Sequence, residues 1–560
     1  MWNRLLHRRA AWLACVLVLV TLQFARQFTA ALQETQVFDE GLHLSAGYTI
    51  LLTGDYRLNP EHPPLGRILN ALPLLFLKPD PKLDTQGWKD ADAITVGREL
   101  LYRQPHLTPD QILLPARLVT IILTLVLALT LAFWVRARYG PGAALLAVFL
   151  VTLDPNLSAH GHYVTTDFAA TLTCFLAVIA FDRMQRRNRV LDILWAGLAL
   201  GAALVSKFSA VFLLPVFAAL WLLHRTSWRA VLLQSAGLIL LSAVVVAVSY
   251  GPETWRSRHA PRLNEVVKKD TAIGYALRVG GRYLHLPAHP FFLGLNEMAL
   301  HQKSGHPSYM RGTVRQHGSW DYFPFVFAVK TPLGTLLLCL LALPLFRRFS
   351  RDLLVMAIPL CIYWALCLTS GINIGVRHLL PVFPFTYALA AILIARHAAQ
   401  FYRQAAPGLV GAACLVLACE SAYIAPHDIA FFNAAVGGPA NGPKLLLDSN
   451  LDWGQDLGNL RRWLDARGRN DVCLAYFGSA DEKYYRFQGW AVPANMHLRA
   501  GERPPCHFAA ISVTLLEGVY HERAWYTWLR ARQPLARIGW SIYVYDVADV
   551  SEGKVPKESF

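Results

Sequence analysis

Charge is scarce in this chain. Of its 560 residues only 16% are charged and 54% are hydrophobic, against about a quarter charged in soluble domains. The deficit excludes an ordinary soluble globular domain and makes lipid the solvent for most of the chain. Nine cysteines include no Cys-x-x-Cys pair, which removes the commonest zinc and dithiol signatures. There is no Walker loop and no dinucleotide fingerprint, which argues against nucleotide binding. Internal repeats and low-complexity tracts are absent too. No small-x-small cleavage site closes the first apolar run, so that run reads as an uncleaved helix. The net charge of +16 gathers in short clusters between apolar runs, without a basic domain. Such a pattern argues against nucleic acid as a partner and fits loops facing anionic headgroups.

What is present is a series of apolar runs. The first ends near Phe24, and others fall near residues 113–135, 141–153, 168–182, 192–206, 208–223, 230–250, 324–346, 352–369, 379–395 and 407–424. Together they predict about eleven spans if each takes ~17–25 residues, with the shorter runs tilting or pairing. Arginines cluster on alternate connections: Arg4, Arg8 and Arg9; Arg136 and Arg138; Arg183, Arg186, Arg187 and Arg189. The series continues with Arg225 and Arg229; Arg347, Arg348 and Arg351; Arg396 and Arg403. The excess of positive charge on one side places the amino terminus in the cytoplasm and the carboxyl terminus outside.

Two long loops, about 31–112 and 251–323, and the tail from 425 then face outward. In the tail, Val472–Phe477, His507–Val513 and Ile538–Tyr545 read as strands, and segments near 455–467 and 521–532 as helices. The expected fold class is therefore mainly α, a polytopic membrane helical bundle (residues 1–424) with a small C-terminal α/β extracytoplasmic domain (425–560). Residues 551–560 read as a polar frayed end. Seven cysteines lie in apolar runs, whereas Cys473 and Cys506 fall in the polar tail; a bridge and two buried thiols both stay open.

The outward connections concentrate ionisable groups beside membrane ends. The first loop offers Asp39, Glu40, Arg57, Glu61 and His62; the loop Asp154–Asp167 adds two histidines and Asp167. Lys207, Lys330, Arg377 and His378 follow on the same side. A plain structural bundle would find so many charges at one membrane level costly. Sugar transfer from a polyprenyl phosphate needs such a set: a carboxylate to take the acceptor's hydroxyl proton and cations to neutralise the departing phosphate. Each residue also has a bland reading. Asp167 suits a helix N-cap, Lys330 an interfacial anchor, Glu40 and Glu61 ordinary ion pairs. Trp453 is placed to stack on a sugar or to pack under a turn. His160 and His162 suggest a metal only weakly, because spacing fixes no further ligand. The sequence fixes no cofactor; a divalent metal stays open but has no support from spacing.

Several of these segments together resemble a known family. Phe38-Asp-Glu40, Asn59-Pro-Glu-His-Pro-Pro64, Asp154-Pro-Asn156, Thr165-Thr-Asp167, Lys330-Thr-Pro332 and Ile374-Gly-Val-Arg-His-Leu-Leu-Pro381 look like bacterial phospholipid-carrier-dependent glycosyltransferases. These are relatives of the dolichyl-phosphate-mannose protein mannosyltransferases and the lipid A aminoarabinose transferase. Phe432-Asn433, Gly437-Gly-Pro439 and Asp448-Ser-Asn-Leu-Asp-Trp-Gly-Gln-Asp456 resemble the carboxyl-terminal pattern of one bacterial branch. The resemblance implies a GT-C fold in the bacterial inner membrane and Asp39 as catalytic base. His62 stands where the aminoarabinose transferases carry a lysine, a departure from their pattern.

The expected function is inverting transfer of a sugar, a hexose with mannose among the candidates, from a polyprenyl monophosphate donor to an acceptor outside the membrane. Protein, lipid A and surface glycan all remain open as acceptors. Glu40, Glu61, His62, Asp167, Lys207, Lys330, Arg377 and His378 are the substrate-binding candidates. A transporter or flippase of lipid-linked sugars is the rival; its polar groups belong mid-span on broken helices. A non-catalytic lipid-binding scaffold is the third class.

Overall fold

The computed structural model describes residues 9–187, 189–224, 226–256, 274, 289–487 and 506–548. The expectations for Arg4, Arg8, Arg225, residues 257–273 and 275–288 of loop 251–323 and the end 551–560 lie outside the described residues. The chain is mainly helical. Among the described residues six helices are long and apolar enough to cross a membrane: Arg9–Gln33, Pro109–Tyr139, Trp228–Gly251, Arg351–Leu368, Val382–Phe401 and Arg403–Ile424. A seventh candidate is a bent pair, Tyr322–Lys330 and Leu333–Arg348, which turns by 109° at Thr331-Pro332, where proline cannot donate to the helix. Pro141–Leu153, Val190–Leu204 and Phe208–His224 are apolar but shorter. The expected eleven is thus not reached by length and composition; the multi-pass character is.

The longest helix shows why the sequence turns where it does. Thr108 caps Pro109–Tyr139 in a reciprocal capping box with Gln111, proline stands in the first turn, and Arg136 and Arg138 sit in the last, each favourable for that helix end. This helix packs on Arg9–Gln33 and Pro141–Leu153, and the latter packs in turn on Val382–Phe401.

Outside the spans, helix Glu40–Thr53 crosses helix Ala93–Tyr102 at a glycine pair. A Cβ on Gly97 would stand 2.4 Å from the carbonyl carbon of Gly41, so the crossing needs Gly97 bare.

The carboxyl-terminal region carries a four-stranded sheet, in the order β3-β4-β6-β5, from Val472–Ala475 (β3), Phe508–Ser512 (β4), Ala536–Ile538 (β5) and Ile542–Asp546 (β6). A small antiparallel pair, Ser308–Met310 (β1) with Thr313–Arg315 (β2), lies upstream. Strands β3 and β4 are parallel, while β4–β6 and β6–β5 are antiparallel. Both faces are covered, in step with the two-residue period of a strand. Phe508, Ala510, Ile542 and Val544 pack with Leu457, Leu460 and Leu464 of helix Leu457–Asp465. Ala509, Ile511, Tyr543 and Tyr545 join the core shared with the membrane helices. The single strand expected over 538–545 is a hairpin instead, because Gly539 and Trp540 take positive φ of 54° and 71°. The helix expected near 521–532 is two short turns, Arg523–Tyr526 and Thr527–Arg530. Cys473 and Cys506 are bridged, with Cα atoms 5.8 Å apart.

Candidate active site

The stretch leading to Asp39 is held by the far end of the chain. Thr35 N–H donates to the Gln455 carbonyl and Phe38 N–H to the Trp453 carbonyl, both at 2.8 Å. Gly458 N–H donates to Thr35 Oγ1, and Ser479 Oγ to the Phe38 carbonyl, each at 2.7 Å. Asp39 then takes the N-cap place of helix Glu40–Thr53 without making a side-chain cap. Its carboxylate is free to turn outward, where Arg377 Nη1 meets Oδ2 at 2.7 Å.

Arg377 rides on the turn Val376–Leu379, and this turn too is pinned from the carboxyl-terminal side. Val376 N–H donates to Asn450 Oδ1 at 3.0 Å, and Ser449 Oγ donates to the Ile374 carbonyl. Gly375 is required there, since a Cβ would stand 2.3 Å from Ser449 Oγ. The guanidinium carbon of Arg377 lies 4.5 Å over the Trp453 ring, a cation–π geometry. Its Nη1 is also 3.9 Å from Asp167 Oδ2, and Lys207 Nζ pairs with Asp167 Oδ1.

Two carboxylates and two cations therefore alternate: Asp39, Arg377, Asp167, Lys207. The Asp39 side chain is 18% exposed, Lys207 13% and Arg377 11%, whereas Asp167 is 3%. A substrate can touch the first three; Asp167 lies behind them. Burial alone would raise the Asp167 carboxyl, but Lys207 and Arg377 hold it well below the usual carboxylate range, so it stays ionised as their counter-charge. Burial works against the Arg377 charge, yet Asp39 and Asp167 carry it above its ordinary value.

Histidines rim this cluster. His62 donates through Nδ1–H to Asn59 Oδ1 at 2.9 Å and meets His43 edge-on at 4.9 Å. Burial first, then His43, Arg67 and Lys207, push His62 well below 6.5; burial, Lys207 and Arg377 do the same to His378. Both rings are neutral near neutral pH. Glu61, 37% exposed, pairs with His301 at 3.1 Å. His301 continues to His306 at 3.3 Å, and His306 to Tyr520 at 3.4 Å, whose hydroxyl donates to Asp448. This chain ties four distant segments across the rim, around residues 61, 301–306, 448 and 520.

Two candidates lie elsewhere. Glu40 is fully buried, and its oxygens accept from Arg117 Nε and Nη2 (2.8 and 2.6 Å), Val37 N–H (2.8 Å) and Val164 N–H (3.0 Å). No lone pair is left for a substrate. Lys330 is fully buried too; its ammonium donates to the carbonyls of Ile429 (2.9 Å) and Asn450 (2.6 Å). It fastens the carboxyl-terminal segment to the bent helix pair. His162 serves Glu34, Nε2 to Oε2 at 2.8 Å, and the Ser158 carbonyl at 3.0 Å. Among the described residues no group of three or more His, Cys, Asp or Glu is placed to hold a metal.

No sequence motif marks Arg117, Arg67 or Tyr520, and Asp448 entered only as the first residue of its motif. Arg117 sits inside the apolar run 113–135, where a lone charge signals a buried partner. Arg67 donates to the Leu58 and Asn59 carbonyls at 3.0 Å and to that of His62, shaping the loop that presents Glu61 and His62. Asp448 and Tyr520 carried no signal of their own.

Residues 110–251 match the family model of the dolichyl-phosphate-mannose-protein mannosyltransferases. The chain is similar to that family over a segment that holds Asp154, Asp167 and Lys207. No curated protein matches the chain. Among solved structures, ArnT from Cupriavidus metallidurans bound to undecaprenyl phosphate aligns at 13% identity and TM-score 0.48, covering 94% of this chain and 97% of that one. ArnT in the apo state aligns at 15% identity and TM-score 0.48, covering 97% and 99%. AglB from Archaeoglobus fulgidus, in complex with an inhibitory peptide and a dolichol-phosphate, aligns at 11% identity and TM-score 0.43, covering 90% and 69%.

Proposed function

With the family match over residues 110–251 as premise, we propose that this multi-pass membrane protein is an inverting glycosyltransferase of the GT-C type. Its donor is a polyprenyl monophosphate sugar, a hexose such as mannose, and its acceptor lies outside the membrane. The observation that carries the reading is the partly exposed Asp39 carboxylate held 2.7 Å from Arg377, with Lys207 on the neighbouring Asp167.

The roles follow from charge. Lys207 and Arg377 hold the donor phosphate, and Asp167 keeps them in place before it arrives. When phosphate draws Arg377 away, the Asp39 carboxylate is freed to face the acceptor hydroxyl. The acceptor hydroxyl attacks the anomeric carbon opposite the phosphate. Its O–C bond forms as the C–O bond to phosphate breaks, the proton passes to Asp39, and polyprenyl phosphate departs with the bonding pair. Attack from the opposite face inverts the anomeric carbon. Neutral His62 and His378 border the phosphate, and Glu61 with its histidine chain borders the acceptor. The bridged Cys473 and Cys506 favour an oxidising, extracytoplasmic side for the sheet.

For transport the bent helix pair is the place to look, yet its cation, Lys330, is spent on two protein carbonyls. The test uses purified protein in nanodiscs, a panel of polyprenyl-phosphate sugars and membrane extract as acceptor source. Release of free polyprenyl phosphate is expected with one donor. No release with any donor, together with protein-dependent movement of labelled lipid across vesicles, would replace the transferase by a flippase.

A further inference from the structure

Trp453 touches Arg377 and the residue next to its partner Asp39. Its ring faces the Arg377 guanidinium at 4.5 Å. Its carbonyl accepts from Phe38, the residue before Asp39, at 2.8 Å. The ring itself is fixed: it is 2% exposed, with Tyr163 and His160 edge-on at 6.0 and 5.9 Å. The backbone is fixed as well. Trp453 N–H donates to Gln455 Oε1 at 2.8 Å, and Gln455 Nε2 donates to the Leu451 carbonyl at 3.0 Å. Gly454, at φ 95°, reverses the chain so that the Trp453 and Gln455 carbonyls both face the 35–38 stretch. Arg377 Nε is buried without a partner among the described residues, so the aromatic face is the guanidinium's main contact besides its two carboxylates.

We propose that Trp453 is a positioning residue for the reaction, one that sets through Arg377 how the cation is shared between Asp39 and the donor phosphate. The proposal rests on the transferase reading above and deepens it. An aromatic face attracts the cation without neutralising it and without a fixed hydrogen-bond direction. Arg377 can therefore slide from Asp39 toward a phosphate while staying over the ring. A hydrogen-bonded partner in the same place would hold it still. A stacking role toward a sugar is excluded for this ring, because its face is occupied and its edge is buried.

The test is a double-mutant cycle on the full-length protein in nanodiscs, with Trp453→Leu, Trp453→Phe, Arg377→Lys and the double variant Trp453→Leu/Arg377→Lys. Polyprenyl-phosphate binding, kcat and KM for the donor, and the thermal unfolding midpoint are measured for each. Trp453→Leu is expected to lower kcat/KM roughly tenfold, about what a desolvated cation–π contact supplies. Trp453→Phe should restore most of that loss, and Trp453→Leu should cost less than about twofold more in the Arg377→Lys background. Equal fold-losses in both backgrounds would overturn the proposal, as would Trp453→Phe being as damaging as Trp453→Leu at an unchanged unfolding midpoint. Wild-type protein that neither binds polyprenyl phosphate nor turns over any donor would remove the transferase reading, and this inference with it. Wild-type turnover with additive losses removes the inference alone.

Discussion

Arg377 and Asp39, 338 positions apart in sequence, meet at 2.7 Å with both side chains partly open to solvent. Neither belongs to the same loop, and each is fastened separately by the segment around residues 449–458. A planar guanidinium suits this place because its Nη1 lies between two carboxylates while its plane stacks on a ring. Arg377→Lys keeps the charge and loses both properties. We expect a drop in kcat/KM of at least about tenfold with little change in unfolding midpoint. Unchanged kinetics would show that charge alone suffices there.

Glu40 and Arg117 behave oppositely. Their ion pair is buried, at 2.6 Å, and Arg117 also donates to the carbonyls of Ala31, Glu34 and Thr35 at 2.9 Å. Removing one partner of such a pair costs about 3–5 kcal/mol, because the other charge stays buried. Glu40→Leu and Arg117→Leu should both lose folded protein, read as yield and unfolding midpoint. A Glu40→Leu protein that is well folded yet inactive would return Glu40 to the site.

Asp452 gives a pH signature. It is fully buried, its Oδ2 accepts from Thr514 N–H at 3.0 Å, and burial pushes its carboxyl up from 3.8 to about 8. Folding then takes up a proton between those values, so this group's stabilisation is complete below 3.8 and fades as pH rises toward 8. Asp452→Asn removes the titration. The unfolding midpoint of Asp452→Asn minus that of wild type should rise steadily from pH 5 to pH 8. A constant difference would contradict the raised carboxyl.

The multi-pass character was legible because lipid leaves a strong mark: long apolar runs and few charges. Span number was less so, since runs such as Pro141–Leu153 form helices too short to be counted by length alone. In the site, Asp39, Asp167, Lys207 and Arg377 stood out because charges at membrane ends are costly and conspicuous. Glu40 and Lys330 stood out for the same reason and proved to be buried fasteners, because only the fold shows Arg117 beside one and two bare carbonyls beside the other. The role of residues 448–456 was also hidden. Their side chains announce polarity and a tryptophan, whereas much of their work is done by the carbonyls of Trp453 and Gln455, which no residue pattern displays.

Asp39 is the residue proposed to take the acceptor's proton. Asp39→Asn preserves size and can still accept from Arg377 through its amide oxygen, so donor binding should survive. The measurement is single-turnover release of polyprenyl phosphate from bound donor sugar, with acceptor present, in wild type and Asp39→Asn. Donor affinity at or above that of wild type is expected, with a chemical step slowed by about a hundredfold or more, the range of a lost general base. Equal rates in the two proteins would contradict it.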